Sequence, residues 1–485
     1  MMEFRREIMR HVYLTVLPAS KFKTSCLSAQ FVTELDRERA AYNALLPAVL
    51  SRGTMRYPDM EALSAAMDTL YGTTVTTTVR KNGERQCVGF VASCIDDRFA
   101  LGGEKLLEPM AALVGEMLLD PVTQGGHYLR EYVESEKVNL IDSIRAIRND
   151  KRDWANLRLL QEMCAAEPYG VSRLGDEETA GKITNHTLFR HGQSLLSSGR
   201  LELLYCGSAE VSRVEEAVLQ AFSTLPRGSA EELPPMQTFA APEKPRFITE
   251  EMDVTQGKLA MGFRCGSDDV PAMMLANLIF GGSSNSKLFL NVREKLSLCY
   301  YASSSYARAK KILTVSSGIE PKDYDRTLEE ILHQLGQVQQ GQWEPWELEG
   351  AKSTALNSLR SVADSQGALE NFYMSRAAVG QQETPEELMQ SLEAVTPERI
   401  CQAAQSIKLD TVYFLTGKEK NLSPGRGKGS VQDPAQRAAG ICGGEARICP
   451  EICVLCHPVR RHGPALSAKW SVAGHPGGHC ALSGA

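Results

Sequence analysis

Cysteines and a histidine near the C-terminus are the residues whose spacing most directly suggests metal chemistry. Cys449, Cys453, Cys456 and His457 follow one another as C-x3-C-x2-C-H, and thiolates and imidazoles at short intervals are common zinc ligands. A second CxxC at zinc-finger spacing is missing, and the segment has no periodic apolar pattern that would pack around a metal. Both a metal site and thiols that bind nothing specific stay open. We favour the second and expect no cofactor.

The histidines elsewhere do not form the pattern of a zinc helix. Such a helix carries two histidines one turn apart, with a carboxylate beside them that activates the metal-bound water. His186 and His191 are five residues apart and would diverge on a helix. The nine histidines are His11, His127, His186, His191, His333, His457, His462, His475 and His479.

Composition is that of an ordinary soluble globular protein. The 485 residues are 43% hydrophobic and 23% charged, with a net charge of -6, which argues against a general binder of nucleic acid or acidic membranes. The longest apolar runs are interrupted by Glu or Pro and are too short to span a membrane. Eight cysteines are scattered singly among apolar neighbours, as reduced core thiols would be, so we expect a cytoplasmic protein. They are Cys26, Cys87, Cys94, Cys164, Cys206, Cys265, Cys299 and Cys401.

The elements that must position any site occur in two similar sets. DEETAGKITNHTLFRHGQSLLSSGRLELLYCGS (176–208) and TPEELMQSLEAVTPERICQAAQSIKLDTVYFLTG (384–417) each predict two helices followed by a hydrophobic strand. VTTTVRKNGERQCVGFVAS (75–93) alternates on both sides of Asn82-Gly83 and predicts a hairpin. Strands and helices are grouped rather than strictly alternating, which favours an α+β fold over a doubly wound parallel sheet.

Two changes in composition predict the domain limits. RGSAEELPPMQTFAAPEKP is rich in Pro, Ala and Glu and has no periodic apolar pattern, as expected of a linker. From Pro424 onward Gly, Pro, Arg and Cys replace periodic apolar residues, and we do not expect that segment to fold. We predict an N-terminal domain (1–226), a linker (227–247), a C-terminal domain (248–420) and a Cys/Gly/Pro-rich tail (421–485).

A resemblance to insulinase/pitrilysin-type peptidases, the inverzincins, rests first on AYNALLPAVLSRGT, residues 41–54. The family has HxxEHxxFKGT or a close variant there, and aligning the Arg-Gly-Thr ending places the two histidines at Ala44 and Ala48 and the glutamate at Pro47. Methyl groups bind no metal, and a proline inside a helix should kink it at a cost of about 3 kcal/mol. The resemblance therefore implies a zinc site that has been lost.

The second half carries the positive part of the resemblance. FGGSSNSKLFLNVREKLSLCYYASSSY (280–306) is similar to the glycine-rich turn, helix and REKxxLxY stretch of the family's C-terminal domain. The matching positions imply that Arg293 and Tyr300 bind substrate, with Gly281 and Gly282 in a flexible loop that contacts the peptide. Taken alone, these residues also fit a solvated charge run, half-buried aromatic residues and a helix cap.

The family's third zinc ligand is a glutamate in a helix that reads ERxxVxxEI. ESEKVNLIDSI is the counterpart here, which puts Asp142 or Ser143 at the ligand position and Glu136 at the upstream acid. Without the histidine pair, Asp142 is better explained as a solvated carboxylate on a helix.

The resemblance covers about residues 10 to 417 and implies two homologous metallopeptidase-like domains, as in LuxS and the processing peptidases, each a mostly antiparallel sheet layered with helices. It is strongest to a zinc-less bacterial branch associated with elongation factor P aminopentanol modification. This implies a non-catalytic subunit that pairs as a heterodimer with a zinc-bearing paralogue and helps to process peptides. Two alternatives stay open: a zinc-dependent metalloendopeptidase active alone, and a peptide-binding or structural module without hydrolysis.

Overall fold

The computed structural model describes residues 4–229 and 232–417. They form two large β-sheets covered by helices and a separate two-stranded sheet of β6 and β7. The elements of the first half are, in chain order, β1 (Phe4–Met9), β2 (Val12–Pro18), β3 (Thr24–Glu34), α1 (Ala40–Leu50), α2 (Met60–Thr69), β4 (Thr74–Asn82), β5 (Arg85–Ile95), α3 (Leu107–Leu119), β6 (Thr123–Gln124), β7 (His127–Tyr128), α4 (Arg130–Ala146), α5 (Lys151–Met163), α6 (Glu177–Gly181), α7 (Asn185–Ser198), β8 (Arg200–Gly207) and α8 (Val211–Ala221).

The second half also combines strands with helices, but it includes two π-helical segments. Its elements are β9 (Arg246–Met252), β10 (Gly257–Cys265), α9 (Val270–Asn277), two π-helical segments (Leu278–Gly282 and Leu288–Lys295), β11 (Cys299–Ala307), β12 (Ile312–Ile319), α10 (Tyr324–Gln339), α11 (Pro345–Val362), α12 (Gln366–Ala378), α13 (Pro385–Glu393), α14 (Pro397–Ala404) and β13 (Ile407–Gly417). Short 3-10 turns lie at Asp97–Phe99, Pro168–Gly170 and Pro321–Asp323.

Strand order shows that the two halves are copies of one unit. The first sheet runs β1-β2-β8-β3-β5-β4 and the second β11-β12-β10-β13-β9. Leaving out β1 and reading the second sheet from β9, the two orders correspond strand for strand. Each sheet has one parallel pair, β2 with β8 and β9 with β13, and its other pairs are antiparallel. The predicted α+β fold of two mostly antiparallel layered sheets is confirmed.

Local sequence signals explain several of these elements. The predicted hairpin forms between β4 and β5, with Gly83 at a φ of 57° in its turn, a conformation that glycine adopts at low cost. The segment 130–163 forms the pair α4 and α5, with a short break between Ala146 and Lys151. The helix that the resemblance implies within 280–306 is the π-helical segment Leu288–Lys295.

Each half supplies a helix that covers the sheet of the other half. From the first half, α5 packs through Ala155 and Leu159 against Ala260, Tyr413 and Leu415 of the second sheet. In return, α12 of the second half lies on β3 and β8, and its residues share a core with Leu17, Cys26 and Leu204. Because each sheet has one face partly covered by a helix of the other half, the two halves are held as one compact unit.

A buried charge also anchors α12 to the first sheet. The Glu370 carboxylate is 1% exposed and accepts hydrogen bonds from Ser28 Oγ at 2.8 Å and Gln30 Nε2 at 2.7 Å. Arg80 adds an ion pair at 2.8 Å. A buried carboxylate is tolerated because it is paired and hydrogen-bonded in this way.

A second buried charge cluster ties the turn between β11 and β12 to the first half. Lys310 is fully buried, and its Nζ lies 2.5 Å from Glu84 Oε1 and 2.7 Å from Glu167 Oε2. Arg264 extends the cluster, 2.5 Å from Glu167 and 2.9 Å from Asp410. Lys310 also donates to the carbonyl of Gln237, in the segment that connects the halves.

Within the described ranges, no helix is both long enough and apolar enough to cross a membrane. The domain limits expected at 226, 248 and 420 stay predictions. The cysteine-rich tail, with its candidate metal ligands from Cys449 to His457, lies outside the described residues.

Candidate functional site

Helix α1 carries the segment that the resemblance matches to the family's zinc helix. Ala44, 7% exposed, belongs to the apolar core of the first half, Pro47 is buried and Ala48 is half-buried. These three side chains offer carbon and hydrogen only, so a zinc ion has no donor at these positions. The helix continues three residues beyond Pro47 to Leu50.

One residue before Ala44, a polar network holds α1 in place. Asn43 is fully buried, and its Nδ2 donates to Thr33 Oγ1 at 3.1 Å and Gln86 Oε1 at 2.9 Å. Its Oδ1 lies 2.7 Å from His191 Nε2. Because Asn43 Nδ2 is the donor in the first two bonds, Oδ1 must accept, which assigns the proton to His191 Nε2.

Gln86 continues the network into the backbone. Its Nε2 donates to the carbonyl of Ala40 at 3.0 Å and to that of Arg173 at 2.6 Å. Sequence reasoning missed this network, since Asn43 sits inside an apolar run and its partners come from β3, β5 and α7. The available signal was an asparagine within an apolar helical run, because a polar side chain that becomes buried there requires hydrogen-bond partners.

The acids of α4 do not supply a metal site either. Asp142 is 67% exposed and lies 3.8 Å from Arg145, while Ser143 Oγ donates to the carbonyl of Asn139. Glu136 pairs with Arg52 at 3.3 Å, just after α1. Across the described parts of the chain, no group of three or more His, Cys, Asp or Glu side chains is arranged to hold a metal. The donor set of the zinc peptidases therefore does not fit here.

Arg293 lies in the π-helical segment that leads to β11. Its side chain is 39% exposed, approaches Glu294 Oε1 at 3.3 Å, and places its guanidinium 4.6 Å from the ring centre of Phe289. The surface setting leaves the guanidinium open to a ligand, and a planar guanidinium can bind a carbonyl or carboxylate through two N–H groups.

Tyr300 is the second residue of β11 and is 52% exposed. Its hydroxyl donates to the carboxylate of Glu320, which follows β12. The hydrogen bond to Glu320 and its negative charge raise the pKa of the phenol. Sequence reasoning missed Glu320, although the pairing of Cys299 with Ile319 in the hairpin brings it beside Tyr300.

The two predicted glycines allow close packing, Gly281 against β11 and Gly282 against the end of α9. A Cβ on Gly281 would lie 2.5 Å from Ser304 Oγ and 2.6 Å from a methyl of Leu288, and one on Gly282 would lie 2.2 Å from Asn277 Nδ2. Gly281 is buried and Gly282 half-buried, and both belong to a π-helical turn rather than to a loop. A direct peptide contact at Gly281 is therefore disfavoured by its burial, and a contact at Gly282 stays a prediction.

The structure gathers the second-half positions around one strand. Gly281 packs against β11, Arg293 lies in the segment that contacts it, and Tyr300 belongs to it. Helix α1 instead packs on β4, β5, α4, α6 and α7, all in the first half. The retained and the lost positions thus have separate surroundings within the chain.

Comparison with known proteins agrees with this geometry. Residues 182–355 match the family described as "Peptidase M16 inactive domain". The chain is similar to the probable inactive metalloprotease YmfF of Bacillus subtilis (strain 168), with 34% identity over 410 residues, covering 83% of this chain and 95% of that protein.

Solved structures share the whole architecture. A conserved protein from Enterococcus faecalis V583 is 26% identical with a TM-score of 0.79, covering 86% of this chain and 99% of that one. A peptidase M16 inactive domain from Pseudomonas fluorescens is 16% identical with a TM-score of 0.71, covering 87% and 100%. On the likeness to a probable inactive metalloprotease over 95% of that protein's length, and on the match to the inactive-domain family, this chain belongs to the peptidase M16, or insulinase-type, family as a catalytically degenerate member.

Proposed function

We propose that this chain is a non-catalytic subunit that pairs with a zinc-bearing M16 relative, to which it contributes Arg293 and Tyr300 for the binding and processing of peptides. The observation that carries the proposal is the contrast between the two halves. The zinc helix has only carbon at its three key positions, while Arg293 and Tyr300 remain on the surface.

The chemistry of the two side chains suits the role. Arg293 can hold a peptide carbonyl or carboxylate through two parallel hydrogen bonds. Tyr300 can donate its O–H to the oxyanion that forms when water attacks a peptide bond. Neither task needs a metal in this chain.

Glu320 sets a condition on that role. A phenol has one O–H, and Tyr300 gives it to Glu320, so an oxyanion must compete with a carboxylate for the same proton. We expect Tyr300 to turn from Glu320 to the substrate only when the partner presents the peptide close to it.

The test uses the assembled pair of this chain with a relative that has an intact HxxEH. Tyr300→Phe removes one donor, which typically costs about 100-fold to 1,000-fold in kcat when the donor serves an oxyanion hole. Arg293→Ala should raise KM, lower kcat or both. Tyr301→Phe is the matched control, because Tyr301 is the next residue and its ring lies under Arg152 at 4.5 Å.

Two outcomes would favour the alternatives. Unchanged hydrolysis by pairs that contain Tyr300→Phe and Arg293→Ala would indicate a peptide-binding or structural module. Stoichiometric zinc and turnover in the isolated wild-type chain would indicate a metalloendopeptidase active alone.

A further inference from the structure

A pair of histidines that the proposed function does not use lies where β7 meets the start of α7. His127 opens β7 and His186 is the second residue of α7. His127 Nε2 and His186 Nδ1 are 3.2 Å apart, and the two rings are nearly perpendicular, at 86°.

The two nitrogens are hydrogen-bonded to each other, and their separation is also that of two ligands on one ion. Two nitrogens bound at 2.0–2.1 Å to a metal are about 2.9 Å apart at a right angle and about 3.4 Å apart at the tetrahedral angle, and 3.2 Å falls between these values. The ring centres are 4.5 Å apart, only 1.3 Å more than the nitrogens. The rings are therefore not aligned end to end, and an ion beside the pair can face both nitrogens.

Regular secondary structure holds the backbone of both histidines in place. His127 pairs with Gln124 in the β6–β7 hairpin, and its ring meets Phe189 edge-on at 5.5 Å. His186 is fixed by the first turn of α7, where Asn185 Nδ2 donates to the carbonyl of Tyr128 at 3.3 Å. The pair needs little reorganisation to bind, which favours affinity.

The pair lies at the surface, where His127 is half-buried. His127 Nδ1 is buried and has no hydrogen-bond partner among the described residues, so Nε2 is the nitrogen through which this ring can bind. His186 is exposed. An ion between the two would keep open coordination positions for water.

We propose that His127 and His186 chelate one transition-metal ion of the class that prefers imidazole, such as Zn²⁺, Ni²⁺ or Cu²⁺. Mg²⁺ and Ca²⁺ are excluded as the bound ion, because they prefer oxygen donors. The site is separate from α1, whose corresponding positions hold Ala44, Pro47 and Ala48. Water completes the coordination, since in the described ranges no third His, Cys, Asp or Glu joins the group.

Calorimetric titration of the full chain with Ni²⁺ tests the proposal. His186→Ala should remove one equivalent of bound Ni²⁺ or weaken that site by about tenfold or more, in line with the sensitivity of metal sites to loss of supporting groups. His127→Ala should have the same effect. His333→Ala is the matched control, because His333 lies on α10 and is hydrogen-bonded to Gln337, one turn away on the same helix, at 3.1 Å.

Ions held by the C-terminal cysteines contribute equally to all four proteins, so the difference between them isolates the histidine pair. His186 is exposed, so its variant should fold, and an unchanged thermal midpoint without metal checks this. Equal Ni²⁺ stoichiometry and affinity in wild type and His186→Ala would overturn the proposal. So would a loss in His186→Ala that His127→Ala does not share, or one that His333→Ala does.

Discussion

At the scale of single residues, Asn43 holds α1 in place, a task that metal ligation would share in a zinc-binding helix. Metal ligation would hold a zinc helix to its surroundings, whereas α1 is held by hydrogen bonds from Asn43 to β3 and β5 and by one from His191 on α7. Apolar packing of Ala44 and Pro47 completes the attachment. The helix therefore keeps its position without a metal.

Asn43→Ala should lower the free energy of unfolding by about 2–4 kcal/mol, because the substitution leaves each of three side chains around a buried site without one hydrogen bond. Denaturant unfolding of the purified chain measures the change. Asn139→Ala is the control, since Asn139 is exposed on α4 and surface changes usually stay within about 0.5 kcal/mol. A loss no larger than that of the control would show that the network does not hold α1.

The sequence was informative about these residues where chemistry depends on identity alone. Residue type alone shows that no metal ligand is present at Ala44, Pro47 and Ala48, because these side chains contain no donor atom. The partner of Tyr300 could not be recognised in this way, because Glu320 is 20 residues away and becomes a neighbour only through the register of β11 on β12.

At the scale of elements, the halves are joined by turns and exchanged helices. The turn after β11 inserts Lys310 between Glu84 of the β4–β5 hairpin and Glu167. Buried ions are costly unless paired, and removal of one member leaves the others without compensation. The turn, the hairpin and the connecting segment at Gln237 are thus stabilised together.

Lys310→Ala should destabilise the chain by about 3–5 kcal/mol, the usual result of breaking a buried ion pair from one side. Lys311→Ala is a control at the adjacent position, because Lys311 pairs at the surface with Asp268, whose side chain is 93% exposed. Exposed pairs contribute about 0–1 kcal/mol. Comparison of the two unfolding midpoints decides, and similar shifts would contradict a special role for the buried cluster.

Element types were largely predictable, and the packing between elements was not. Alternation about Asn82-Gly83 predicted the β4–β5 hairpin, and similar segments at 176–208 and 384–417 predicted the repeat. An amphipathic pattern shows that a helix such as α5 buries one face, but it does not say which sheet the face meets. The exchange of α5 and α12 between halves was therefore not predicted, nor was the pairing of Lys310 with Glu84.

At the scale of the whole molecule, two copies of one fold have diverged in chemistry. The first has Ala44, Pro47 and Ala48 at the positions where the resemblance would place zinc ligands and a base, and the second has an exposed arginine and tyrosine around β11. In the proposed reaction this chain supplies an arginine and a tyrosine for substrate binding, and the partner must supply the zinc ion and the general base. Activity is therefore expected to belong to a pair of chains and not to either chain alone.

Peptide hydrolysis by this chain, by a zinc-bearing relative and by their mixture is the most direct measurement of that claim. We expect no turnover from this chain alone and hydrolysis from the mixture that exceeds the zinc-bearing chain alone by at least about 100-fold, the contribution typical of one oxyanion donor. Hydrolysis by the isolated chain, abolished by a chelator and restored by zinc, would contradict the account, as would a mixture no more active than the relative alone.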